Sequence, residues 1–364
     1  MTDQYRQAGV DYDVLDPAKR NALNAAASTS ALLGAHGGRA VDASRGEPAF
    51  VFELGTQQFA VVLECLGTKS VLAREVQAAT GRQRFDAVAY DAVAAILNDL
   101  ACVGAAPLVV NAYFSTGSAA FYADTERFQS LVEGWRAACA DGGAVWGGGE
   151  SPTLSGLVAP DDIELAGSAV GVIEHGAAIT GDALATGDDI VFIAATGLHA
   201  NGASLARQVA GALPNGYATE LPDGRQFGDA LLDPAPLYSP IVTAALAAGA
   251  TISYCSHVTG HGFRKLMRAE RELRYVITEV PPVPPVLEFL VAQLGMDGRD
   301  AYGTFNMGAG FAIYCPTDST EPVLDAAKTA GLDAWRAGHV ETGERSIVVE
   351  PLGVEWRSDD YSAR

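Results

Sequence analysis

Gly187-Asp188-Asp189-Ile190-Val191-Phe192-Ile193-Ala194-Ala195-Thr196-Gly197-Leu198-His199-Ala200-Asn201-Gly202 runs from a polar turn through an unbroken apolar stretch into a second, glycine-bracketed turn. Residues 202–212 then continue with helical spacing. A short β-branched run bounded by turn residues and followed by a helical pattern is the signature of a buried strand feeding a helix, the unit of an α/β layer.

Just upstream, residues 174–189 form a polar stretch punctuated by Gly176, Gly181 and Gly187. It marks the expected boundary between one domain over residues 49–175 and another over 176–350. Downstream, helices are expected over 202–212 and 231–248 and a strand over 252–258, with strand and helix signals alternating through to 341. Residues 351–364 read as a tail. In the first domain, residues 49–54 and 59–64 read as a hairpin, 85–103 as a helix, 108–114 as a strand, 122–140 as a helix and 163–173 as an alternating strand. Residues 1–48 are polar and weakly patterned, which reads as an arm or lid. Strands separated by helices, with hairpins at the margins, predict two layers of α+β or α/β type.

The 364 residues, 49% hydrophobic and 19% charged, have the composition of a folded protein long enough for two cores. A formal net charge of −20 disfavours broad contact with nucleic acid or an anionic membrane, since both need clustered Lys and Arg. A small anionic substrate is still compatible with it, because a few basic residues can make a local pocket. No segment approaches the roughly 18 apolar residues of a membrane span. Cys65, Cys102, Cys139, Cys255 and Cys315 are dispersed and lack Cys-x-x-Cys spacing, so reduced thiols in a cytoplasmic setting are expected. The first eight residues are polar with no apolar run behind them, and no secretory signal is expected.

Four segments concentrate polar and ionisable residues among glycines: residues 96–100, 147–150, 196–202 and 257–263. Carboxylates, imidazoles and free backbone N–H groups together are what an enzyme needs to hold a magnesium-bound nucleotide and activate an oxygen. Asp91 and Asn98, seven residues apart, share a helix face. Asn98-Asp99 near that helix's C-terminal end is unfavourable unless a cation reverses the local field, although a solvated helix end is the simpler account of the pair alone. Glu150 follows Gly147-Gly148-Gly149, so its carboxylate can approach a ligand closely, but a strand at 144–146 without a following helix makes the glycines a weak sign. His199 lies at a strand-to-helix junction where Asn201 can cap the helix and the helix start can take an anion. A loop imidazole bonded to a carbonyl is the competing account. His257 and His261 are four apart, but Thr259-Gly260 between them opposes a continuous helix, and no third ligand is near, so acid–base or phosphate-contacting roles fit better than zinc.

Taken in order, these segments resemble the phosphoribosylformylglycinamidine cyclo-ligase (aminoimidazole ribonucleotide synthetase) family of purine biosynthesis. The likeness runs from Tyr5 and Ala8-Gly9-Val10-Asp11 through Gly67-Thr68-Lys69, Asn98-Asp99-Leu100, Gly104-Ala105, Pro107 and Gly148-Gly149-Glu150. It continues in Gly197-Leu198-His199-Ala200-Asn201-Gly202, His257-Val258-Thr259-Gly260, Gly303-Thr304-Phe305-Asn306-Met307-Gly308 and Ala334-Trp335-Arg336-Ala337-Gly338.

The resemblance implies a two-domain fold whose N-terminal strands join a second subunit in a barrel-like homodimer core, with a C-terminal α/β domain. It implies ATP and Mg²⁺ as cofactors, and a ribonucleotide substrate whose amide-type oxygen is phosphorylated before an amidine nitrogen closes the ring. Carried onto this chain, Glu64, Asp99 and Glu150 would hold the metal. Gly67, Thr68, Asn98, Gly148, Gly149 and Asn201 would hold the nucleotide phosphates; Lys69, His199 and His257 would be catalytic; Thr259, Gly260, His261 and Asn306 would meet the substrate. The chain departs from the family in Leu63-Glu64-Cys65-Leu66-Gly67-Thr68-Lys69, where the family has Thr-Asp-Gly-Val-Gly-Thr-Lys. It departs again in Ser151-Pro152-Thr153-Leu154 and at His261, which replaces a glycine. Two other readings are therefore retained. One is a relative acting on a different substrate, like selenophosphate synthetase, thiamine-monophosphate kinase or the hydrogenase-maturation dehydratase. The other is a catalytically lapsed nucleotide-binding dimer.

Overall fold

The computed structural model describes residues 12–361. Tyr5 and the stretch Ala8-Gly9-Val10-Asp11, on which the resemblance begins, lie outside them. Two mixed sheets organise the chain, as the α+β expectation requires.

The first sheet is built around β6 (Ile163–Ile173), which alternates buried and half-buried residues without a break. Period-two patterning of this kind turns one face to a core. Its order is β1 (Gly38–Ala40), β2 (Phe50–Leu54), β3 (Gln57–Cys65), β6, β4 (Ala106–Thr116), β5 (Val145–Glu150), antiparallel except for the parallel β4–β5 pair. Along β3, Ala60 and Val62 are buried while Val61 and Leu63 are exposed, Leu63 at 77%. Glu64 has the inward parity of Ala60 and Val62.

The second sheet has the order β13 (Val354–Arg357), β12 (Ser346–Val349), β9 (Leu273–Ile277), β11 (Ala334–Thr342), β7 (Asp189–Ala194), β10 (Ala309–Cys315), β8 (Tyr254–His257), antiparallel except for β12–β9. Every residue of β10 is buried, as expected of a strand covered on both faces.

The helices are α1 (Tyr12–Ala27), α2 (Lys69–Thr80), α3 (Phe85–Cys102), α4 (Thr125–Asp141), α5 (Ala203–Ala212), α6 (Ser239–Ala247), α7 (Pro285–Leu294) and α8 (Thr320–Thr329), besides single-turn pieces. In α3, 14 of 18 residues are buried, which is the composition of a helix enclosed on all sides. It packs against β3, β6 and α4 on one side and β8 and α6 on the other, and so joins the two sheets. That bridging position places Asn98 and Asp99 between them.

Four local expectations change. The helix expected over 231–248 is two, Phe227–Leu231 and α6, because Pro234 and Pro236 between them cannot supply the backbone N–H groups a helix needs. The helix expected from Tyr122 begins at Thr125, where the Asp124 carboxylate accepts from the Arg127 N–H at 3.1 Å and caps it. The stretch expected to be an arm contains α1 and β1, and β13 comes from the expected tail. Finally, the strand expected at 144–146 does not stop before Gly147-Gly148-Gly149: β5 runs through them, with a register shift against β4.

The last point has a measurable side. A Cβ on Gly149 would stand 2.0 Å from the Ala112 carbonyl oxygen of β4. Gly149→Ala is expected to destabilise by a few kcal/mol (about 1–3 for overpacking) through separation of β5 from β4, whereas Gly143→Ala, which meets no atom within 4 Å, should cost only its backbone term. Chemical denaturation of both variants provides the comparison.

Candidate active site

A cavity of about 400 Å³ opens where the end of β3, the last turn of α3 and the segment after β8 converge. Glu64, Cys65, Asp99, Asn201, His257, Thr259, Gly260 and His261 line it, together with Lys265, Arg268, Glu47 and Tyr361. Two sheets and the helix between them each supply a wall.

Asp99 and His257 are joined directly, Oδ1 to Nδ1 at 2.9 Å, across 158 residues of sequence. Burial pushes the Asp99 carboxyl up, but the His257 hydrogen bond and charge, with Lys265 and Arg268, outweigh it and hold Asp99 below its ordinary range. An ionised Asp99 accepts the Nδ1–H of His257 and fixes that tautomer, leaving Nε2 as the ring's acceptor. Glu64 behaves oppositely. Burial first, then the charge of Asp99 and the hydrogen bond shared with it, push Glu64 up to about 7. Two carboxyls whose environments drive them apart divide into a proton carrier and a permanent anion.

The cations come from a 3₁₀ turn at Gly262–Met267 and the residue that follows it. The Lys265 ammonium is buried and donates to Thr259 Oγ1. Burial first, then Arg268, hold it below its ordinary range, and Asp99 and Glu64 offset this only in part. Arg268 donates through Nε to the Gly46 carbonyl at 3.0 Å and pairs at 3.8 Å with Glu47, whose carboxylate accepts from Tyr254 at 2.9 Å.

His261 has a φ of 74°, the left-handed region a glycine occupies without strain, and its ring meets Tyr361 edge-on at 5.4 Å. Burial, then Arg264 and Lys265, push its imidazole down to about 3. Between pH 6.5 and about 3 the unfolded chain therefore holds the His261 proton and the folded chain does not, so this group's stability is complete above about pH 6.5 and is lost as pH falls toward 3. At pH 5 the loss is roughly 2 kcal/mol. His261→Asn, which tolerates the same backbone, should flatten the fall in stability between pH 7.5 and 5 relative to the natural protein. Glu64 works with the opposite sign over about 4.5 to 7 in both proteins, so the difference between their denaturation curves isolates His261.

Other expected site residues are placed elsewhere. Lys69 is fully buried in an ion pair with Asp91, whose other oxygen accepts from the Ala235 N–H at 2.6 Å. Asn98 donates to the Pro236 carbonyl at 2.9 Å and accepts from the Tyr238 N–H at 2.7 Å. Asp91 and Asn98 share a face of α3, and that face clamps the 235–238 segment. Asn306 donates to the Gly197 carbonyl at 2.8 Å and accepts from the Gly308 N–H at 3.0 Å, tying the His199 loop to the turn before β10. His199 is 4% exposed, with φ 59° and Nε2 3.3 Å from the Thr196 N–H. Its Nδ1 has no hydrogen-bond partner, and burial, then Lys69 and His257, keep the ring neutral. The residue before α5 is Gly202 at φ 96°, so Asn201 stands one position outside the cap and faces the cavity instead.

Thr68 Oγ1 and Ser204 Oγ lie 3.0 Å apart, which brings the starts of α2 and α5 together just behind Gly67. Gly148, Gly149 and Glu150 lie on edge strand β5. Register places Glu150 opposite Tyr113, Ala166 and Cys65 in turn, three strands or roughly 14 Å across the sheet. Within one chain Glu150 does not join Glu64 and Asp99, and among the described residues no group of three or more His, Cys, Asp or Glu is arranged to hold a metal ion.

Sequence reasoning overlooked Lys265, Arg268, Glu47 and Tyr361. A signal for the first two was present: Arg264, Lys265 and Arg268 fall within five residues, directly after His257–Phe263, in a chain with only 24 basic residues.

The model of the AIR synthase related protein N-terminal domain matches residues 46–173, and that of the C-terminal domain matches 185–350. A phosphoribosylformylglycinamidine cyclo-ligase of Anaeromyxobacter sp. (strain Fw109-5) is 34% identical over 96% of this chain and 99% of its own length. Among solved structures, HypE in a HypE–HypF complex superposes with a TM-score of 0.61 at 18% identity, covering 86% of this chain and 93% of that one. A ThiL protein complexed with AMPPCP and TMP superposes with a TM-score of 0.59 at 15% identity, covering 86% and 90%.

Proposed function

Because the chain belongs to the AIR synthase related protein family, we propose that it is an ATP-dependent cyclo-ligase that converts formylglycinamidine ribonucleotide to aminoimidazole ribonucleotide. The observation that carries this reading is the Asp99–His257 pair beside Glu64, in a cavity lined by the family's own motifs. ATP supplies the phosphoryl group that turns the amide-type oxygen into a leaving group. The residues supply positioning and charge, which is most of what phosphoryl transfer requires.

Within the cavity His257 Nε2, with Nδ1 held by Asp99, takes the proton released when the amidine nitrogen attacks. Neutral His199 keeps Nδ1–H as an unspent buried donor two residues from the cavity-lining Asn201. Asn201 and Thr259 orient the substrate, and Lys265 with Arg268 draw its negative charge into an otherwise acidic protein. The joined starts of α2 and α5 at Thr68 and Ser204 offer N–H groups to the nucleotide phosphates, and Gly67 leaves open space beside them. A protein-held Mg²⁺ does not fit the Glu64–Asp99 pair as arranged: Glu64 shares a hydrogen bond with Asp99, Asp99 is engaged by His257, and a buried ammonium faces both.

The exposed apolar side chains of the first sheet, Val61, Leu63 and Leu108, fit the homodimer the family resemblance implies. Leu63→Arg should halve the mass seen by light scattering.

Purified protein incubated with ATP, magnesium and formylglycinamidine ribonucleotide should release ADP and aminoimidazole ribonucleotide in equal amounts. ADP release with a different phosphorylated acceptor would instead favour a second reading, a relative acting on another anion, to which the His261 and Glu64-Cys65 departures point.

A further inference from the structure

Lys265 is a feature of the cavity that the family resemblance does not anticipate, and its surroundings are specific. Its ammonium is buried, its hydrogen-bond partner is the neutral Thr259 hydroxyl, and its charge acts on both Glu64 and Asp99 without lying in ion-pair contact with either. Arg268 stands behind it, tied to Gly46 and Glu47. A buried cation that has no carboxylate contact of its own and lines a cavity is an anion-binding group.

We propose that Lys265 serves as the resident cation of the Glu64–Asp99 pair, in the role a divalent ion would otherwise play there, so that this end of the cavity binds a phosphate oxygen directly through the ammonium. The cavity's role in phosphoryl transfer, proposed above, serves only to name the anion. The charge arithmetic favours it. Arg268 is matched by Glu47, Lys265 offsets an ionised Asp99, Glu64 shares the Asp99 hydrogen bond and Lys19 also lines the cavity, so a further dication meets little uncompensated negative charge, whereas an incoming phosphate meets the Lys265 ammonium. Lys, a compact charge on a flexible stem, is suited to follow a phosphate as it is transferred.

The test uses the full chain without substrate, so it is independent of which ribonucleotide is consumed. Inorganic phosphate is titrated in the presence of a chelator by calorimetry, and Mn²⁺ is titrated separately by electron paramagnetic resonance, for the natural protein, Lys265→Gln and Lys265→Arg. Phosphate should bind the natural protein and Lys265→Arg without metal, and at least ten-fold more weakly to Lys265→Gln. Mn²⁺ should bind Lys265→Gln at least ten-fold more tightly than the natural protein, because the carboxylate pair has lost its cation. Phosphate binding that appears only when Mg²⁺ is added, or Mn²⁺ binding to the natural protein that Glu64→Gln abolishes, overturns the proposal. Should Lys265→Gln fail to fold, the natural protein and Lys265→Arg decide between these results. Failure of the cyclo-ligase assay with metal-free phosphate binding intact would count against the substrate and not against Lys265.

Discussion

Lys69→Met is expected to lower the stability of the protein by about 3–5 kcal/mol, the cost of leaving one member of a buried ion pair without the other. Lys69 and Asp91 both have fully buried side chains, and Asp91 is held in place by the Ala235 N–H as well. Removing the ammonium strands a carboxylate between α3 and the segment that leads into α6. The thermal midpoint should fall on the order of 10 °C. Lys69→Met combined with Asp91→Asn removes both charges while retaining an acceptor for Ala235, and should recover most of the loss. A small change in melting with a large loss of turnover would show instead that Lys69 leaves Asp91 and works on substrate, as the family resemblance implies.

The second large effect is on turnover. Asp99→Asn should reduce kcat by roughly 10²- to 10⁴-fold with little change in folding, because an amide can present either a donor or an acceptor to His257 Nδ1 and no longer fixes the tautomer that leaves Nε2 basic. The pH profile carries a further signature. Asp99 is among the causes that push Glu64 up to about 7, so in the natural protein a step that needs ionised Glu64 gains rate as pH rises through about 7. In Asp99→Asn that limb should move to lower pH, toward the ordinary carboxyl value of 4.5. Measurement of kcat/KM from pH 5 to 9 for both proteins shows whether the limb moves. Retention of a third or more of the activity would remove His257 from the proton transfer.

How much could be read without coordinates depended on whether a signal was local. The alternation of residues 163–173 and the hairpin at 49–64 were legible, because period two and turn chemistry are written in adjacent residues. So was the shared face of Asp91 and Asn98. What that face touches was not, since Pro236 and Tyr238 are about 140 residues away and the proline-broken stretch carrying them resembled a continuous helix. The helix α2 was overlooked because its pattern begins at a lysine whose burial depends wholly on a distant partner. Glu64, Asp99 and His257 carried enough chemistry to be singled out, yet their convergence is a property of α3 packing between two sheets. Lys265 and Arg268 looked like ordinary surface charges, since nothing short of the cavity shows that a basic run faces inward.

Leu63 and Glu64 are consecutive on β3 and belong to opposite faces of the sheet. A strand has no way to move one without the other, so the pairing of β3 with β6, with Leu63 opposite Ser168 and Glu64 opposite Gly167, is inherited by two separate properties at once. A one-residue slip of that pairing would turn the leucine toward the cavity and the carboxylate toward the open face of the sheet. A sheet that keeps the apolar residue outside thereby keeps the acid at the inner face.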